Sequence, residues 1–125
     1  MQTEQIKALV IDALEDMKAQ NITVLDVRGR TSVTDWMIIA NGTSNRHVTA
    51  VAGNVEEKAK HAGLRPNGTE GRAAADWVLI DLVDVVVHVM TEQARHFYDL
   101  ERLWGETPDE KESGPGNSGP GTRNA

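Results

Sequence analysis

A chain of 125 residues, 39% of them hydrophobic and none of them cysteine, is long enough for one domain with its own core, and it has no disulfide, thiolate nucleophile or cysteine-based zinc site. Its formal charge of −6 comes without the basic stripe that neutralises phosphates, so direct nucleic-acid binding is not expected, while an acidic surface suits a basic protein partner. The start, "MQTEQIKALVIDALEDMK", has acids where a secretion signal is basic, and no apolar run nears the roughly 20 residues of a membrane span, so a soluble cytoplasmic protein is expected.

From residue 3 to residue 20, Ile6, Leu9, Val10, Ala13, Leu14 and Met17 recur at the spacing of one buried helical stripe. Residues 22–27, "ITVLDV", and 35–40, "DWMIIA", are rich in β-branched and aromatic side chains and read as two strands. "NGTSNRH" then breaks the apolar run. Ser44 or Asn45 can cap a second helix with the stripe Val48, Val51, Ala52, Val55 and Ala59, ending at Gly63. Residues 64–75 hold Pro66, Gly68 and Gly71 and read as a loop, with room for a short irregular strand near Leu64.

"DWVLIDLVDVVVHVM", residues 76–90, predicts a hairpin turning at Leu82 and Val83. That turn sets Asp81 opposite Asp84, Leu79 opposite Val86 and Trp77 opposite His88. Because side chains alternate along a strand, one face holds Trp77, Leu79, Asp81, Asp84, Val86, His88 and Met90. The other holds Val78, Ile80, Leu82, Val85, Val87 and Val89, and reads as core. Thr91 can cap a last helix, "EQARHFYDLERLW", whose Phe97, Leu100 and Trp104 are spaced to face the sheet. The order αββαββα predicts an α/β or α+β sandwich with a single mixed or antiparallel sheet and helices packed on it. Residues 105–125 contain five of the eleven glycines and three of the four prolines with no apolar periodicity, so the expected domain is 1–104 and the remainder a disordered tail.

Few constellations carry chemistry. The "NGTSNRH" loop, at 41–47, lies where a helix N-terminus favours an anion, yet it matches neither glycine-rich phosphate motif, and a turn with a helix cap explains it. Asp81 and Asp84 could hold Mg²⁺, with Asp35 and Asp76 near strand starts, but acids at strand ends are also ordinary turn formers. His47, His61, His88 and His96 have no metal-ligand spacing, so neither metal nor cofactor is expected. His88 would stand beside Trp77, either as a structural histidine or as a partner contact. Arg95, Asp99 and Arg102 are spaced for helical ion pairs, with Tyr98 beside them off the apolar stripe.

Three segments, "DWMIIANGTSNRHV", "DWVLIDLVDVVVHVM" and "RHFYDLERLW", together resemble the ribosomal silencing factor family (RsfS, Iojap-like), over residues 4–104. The resemblance implies a non-enzymatic factor that binds the large ribosomal subunit through its universal protein number fourteen and sterically blocks joining of the small subunit, lowering translation when nutrients are scarce. It further implies a mixed-sheet fold like that of nucleotidyltransferases without their acidic active site, and a homodimer in the free state. Carried over by position, the implied partner contacts are Trp77, Asp81, His88, Arg95, Tyr98 and Asp99, with Trp77 as anchor. Val83 departs from the family, which usually has glycine in that turn, and this points to a shifted or wider hairpin. The alternative is a nucleotide-handling enzyme of nucleotidyltransferase type, using the 42–47 loop for phosphate and Asp81 with Asp84 for Mg²⁺.

Overall fold

The computed structural model describes residues 2–32, 34–71 and 76–99. Its elements run α1 (Thr3–Asp16), β1 (Gln20–Asp26), β2 (Trp36–Gly42), α2 (Asn45–His61), β3 (Gly68–Glu70), β4 (Trp77–Asp81), β5 (Val85–Thr91) and α3 (Glu92–Tyr98). The strands form one sheet in the order β1-β2-β5-β4-β3. Only the central pair, β2 with β5, is parallel, and the sheet is therefore mixed and the fold α+β.

Local chemistry explains the boundaries. Gln2 and Gln5 cap α1 reciprocally, and the helix stops where Lys18 turns left-handed at φ 59° and the Ala19 amide donates back to the Leu14 carbonyl at 3.0 Å. That exit precedes the expected end at residue 20, so β1 begins at Gln20 rather than at 22. Ser44 caps α2, its Oγ accepting from the His47 amide at 3.1 Å, and Thr91 caps α3, its Oγ1 accepting from the Ala94 amide at 3.2 Å.

The loop after α2 contains the strand β3, at 68–70 instead of near Leu64, so the order is αββαβββα. Gly71 ends β3 at φ 89°, and a Cβ there would come within 2.1 Å of the Trp77 carbonyl oxygen. Only glycine lets the chain pass this close to β4.

α1 and α2 lie on one face of the sheet. Their stripes, with Ile6, Val10, Leu14, Val48, Val51 and Val55, bury against Ile38, Ala40, Val78, Ile80, Leu82, Val85, Val87 and Val89. The Asn54 amide donates to the Ala13 carbonyl at 2.8 Å, and Lys58 pairs with Asp12 at 3.0 Å and with Asp16, so the two helices are tied by polar groups as well. The opposite face carries a smaller cluster of Val27, Met37, Ile39 and Met90 under Ala94 of α3, with Leu25 and Trp77 beside it.

The hairpin differs from expectation by a register of two residues. Trp77 pairs with Met90, Leu79 with His88 and Asp81 with Val86, and Asp84 lies in the turn. An even shift leaves every side chain on its expected face, so the aliphatic face is indeed core. The turn has moved to Val83 and Asp84, with the Leu82 amide donating to Val85 and the Asp84 amide donating back to Leu82 at 3.0 Å. Val83, 56% exposed, sits at φ 73° in the middle of this three-residue γ-turn, a strained place for a β-branched residue.

Candidate functional site

The residues expected at a docking face divide into three groups. Trp77 and His88 come together from neighbouring strands, the Trp77 Nε1–H donating to His88 Nδ1 at 2.9 Å. Tyr98 at the end of α3 packs against Trp77 at a tilt of 46°, ring centroids 4.5 Å apart, and Phe97 meets Tyr98 edge-on at 5.0 Å. Tyr98 is 47% exposed and Phe97 80% exposed, so Phe97 does not face the sheet as its spacing predicted. The helix turns Ala94 toward the sheet instead, and it ends at Tyr98, where Asp99 turns left-handed at φ 52°. Leu100, Arg102, Trp104 and the tail at 105–125 lie outside the described residues.

His88 is only 4% exposed. Accepting from Trp77 fixes it as the neutral tautomer protonated on Nε2, and burial pushes its pKa down to about 4. Its hydrogen bond orients the indole.

Arg95 reaches away from Trp77 toward the β1 edge. Its guanidinium donates to the Asn21 carbonyl, to Thr23 Oγ1 at 2.7 Å and to Asn41 Oδ1 at 3.1 Å. Asn41 is itself buried and donates to the Met90 carbonyl at 3.3 Å. Asp99 lines the same polar cleft with Asn21, Thr23, Glu92 and His96. The spacing of Arg95 and Asp99 pointed to a helical ion pair, whereas the fold also brings Arg95 against a strand 72 to 74 residues earlier.

Asp81 stands apart at the far end of β4, four residues and roughly 13 Å of strand from Trp77. Its carboxylate accepts from the Val83 amide at 2.8 Å and from Asn67 Nδ2 at 3.2 Å. Asp84 accepts from Thr3 Oγ1 at 3.3 Å. Both acids thus serve the turn and its surroundings, and no group of three or more His, Cys, Asp or Glu able to hold a metal occurs among the described residues. In the 42–47 loop His47 Nδ1 accepts from the Thr43 amide at 2.9 Å and its Nε2 donates to the Met17 carbonyl at 2.6 Å. Two of the loop's amides are therefore occupied from within.

Sequence reasoning missed this His47 clamp, because its partner at Met17 lies 30 residues away. It also missed Trp36, whose ring lies under Lys7 Nζ at 3.4 Å and Arg28 Cζ at 4.9 Å. Asp26 holds Arg28 through two side-chain hydrogen bonds, and that guanidinium draws the Asp26 pKa down to about 2.

The α+β scaffold thus displays at one end an aromatic cluster of the residue types enriched at protein interfaces. A model of the family described as ribosomal silencing factor during starvation, RsfS, matches residues 1–124. The ribosomal silencing factor of Chromobacterium violaceum is 48% identical over 105 residues, covering 84% of this chain and 86% of that protein. A crystal structure of a protein from the same organism superposes with a TM-score of 0.82 at 44% identity, covering 93% of this chain and 98% of that one. The mouse mitochondrial assembly of ribosomal large subunit protein 1 is 32% identical over 99 residues, 77% of this chain and 43% of that protein. The chain belongs to the ribosomal silencing factor family.

Proposed function

We propose that this protein is a non-catalytic translational repressor of the cytoplasm that docks on the large ribosomal subunit through its universal protein number fourteen. Bound there, it blocks the small subunit sterically and lowers translation when nutrients are scarce. The observation that carries this reading is the family match along residues 1–124. The printed name of the mouse relative, which refers to the large ribosomal subunit, supports the choice of subunit.

The docking surface fits best around Trp77 and Tyr98, where exposed aromatic area is fixed in place by His88 and α3. Arg95 and Asp99 would form a polar rim beside it, while Asp81, at the other end of β4, would meet a partner only across a broad footprint. Occlusion needs neither turnover nor cofactor.

Sedimentation of separated ribosomal subunits with and without the protein tests the proposal. Co-migration with large subunits and a smaller joined fraction are expected; a protein that stays at the top of the gradient refutes it. Stabilisation of the chain by a nucleoside triphosphate with Mg²⁺ would instead favour the nucleotidyltransferase alternative. The same reading includes a homodimer of the free chain, measured by sedimentation of the protein alone.

A further inference from the structure

Two tryptophans of this chain stand in acidic surroundings, and among the described residues cations lie over one of them, Trp36. Over Trp36 lie Lys7 and Arg28, each held by a carboxylate: Glu4 on Lys7 at 3.0 Å and Asp26 on Arg28 at 2.7 Å. Ring, cation and carboxylate form a closed set. Trp77 borders a groove lined by Glu70, Gly71, Asp76, Leu79 and Tyr98. The groove has two aromatic rings and two carboxylates, but among the described residues no cation lies over either ring and neither carboxylate has a side-chain partner. Asp76 also lines a second groove on the other side of Tyr98, with Gln93, Ala94 and Phe97, so its charge is shared along the whole aromatic edge.

We infer that the Trp77 groove receives an arginine side chain of the docking partner, the guanidinium lying on the face of one of the two rings and against the other while its edge donates to Asp76 and Glu70. The inference rests on the docking reading above and names what that site recognises. Arginine fits better than lysine, because a planar guanidinium covers a ring face and still presents donors to two carboxylates, Glu70 at the end of β3 and Asp76 just before β4. The two acids disfavour a phosphate backbone, so the donor is a protein and not RNA. The site is also built: Gly71 leaves β3 pressed against the Trp77 carbonyl, and His88 holds the indole from behind.

The test has two arms. In the first, the indole N–H resonance of Trp77, assigned with a Trp77→Phe variant, is followed while N-acetylarginine methylamide or its neutral citrulline counterpart is added to the free chain. Saturable movement with arginine and none with citrulline is expected, and it should vanish in the double variant Glu70→Gln, Asp76→Asn. In the second, that double variant should bind large subunits about tenfold more weakly than wild type, with a shallower salt dependence, while Glu57→Gln binds as wild type. Equal melting temperatures would show that the variant is folded.

Identical responses to arginine and citrulline overturn the inference. So does an arginine response that appears only after Arg72→Ala, because the groove would then belong to the chain's own arginine. Failure of the wild-type chain to bind subunits, with the first arm positive, would refute the ribosomal reading alone.

Discussion

The two faces of the sheet come from the same strands but follow different rules. On the side of α1 and α2 the buried cluster is entirely aliphatic. On the side of α3 the buried set includes Asn41 and His88, each serving a longer side chain: Asn41 receives Arg95, and His88 receives Trp77. A face built of aliphatic residues only has to fill space. One that holds polar groups in low dielectric must satisfy them, and in exchange it fixes the direction of the groups they bind.

The contrast can be broken most sharply in the aliphatic face. Leu14→Ala, at a fully buried position, should cost about 3 kcal/mol in urea unfolding yet leave large-subunit affinity of the folded protein unchanged. Reduced affinity at full folding would mean that the helix side takes part in docking.

Acid probes the other face. Between about pH 6.5 and pH 4 the unfolded chain protonates His88 while the folded chain resists, so the His88 contribution is fully present above pH 6.5 and is lost as pH falls toward 4. The full effect is on the order of 3 kcal/mol, and His88→Gln, which can still accept from the indole, should lose less stability than wild type over that interval. Parallel pH profiles of the two proteins would show that this histidine does not titrate with folding.

Trp77→Ala should weaken binding to large subunits by about 2 kcal/mol or more, as truncating an interface anchor does. Because Trp77 is only partly buried, its stability cost should stay below that of Leu14→Ala; the reverse order would make it a core residue first. The smallest effect belongs to the turn shared by both faces. Val83→Gly should stabilise the protein by about 1 kcal/mol by relieving the strained φ, with unchanged affinity. No gain in melting temperature would show that the γ-turn tolerates valine without strain.

Much of this was legible in the sequence, for local reasons. Ser44 and Thr91 mark their helix starts through one hydroxyl and the amide three residues on, and the alternation from Trp77 to Met90 assigns both faces even though the turn shifted. β3 is three residues long and begins with glycine, too short to carry a period. The partners of Arg95, His47 and Trp36 could not be read because only the finished fold brings them together. Of the expected contacts, Trp77, His88 and Tyr98 assemble because the pattern placed two of them on one face and α3 supplied the third. Asp81 lies apart from that cluster, at the other end of β4.

The parallel pairing of β2 with β5 has a kinetic consequence. Asn41 and Met90, neighbours across that pair, are 49 residues apart in the chain, whereas the β1–β2 and β4–β5 pairs close over much shorter loops. Closing the long loop costs chain entropy before any contact rewards it, so the two hairpins should form early and their union at the centre of the sheet should set the folding rate. Truncations in Ile38 or Val87 should then slow refolding, while relief of strain at Val83 should change the rate according to how far the β4–β5 turn is formed at that barrier.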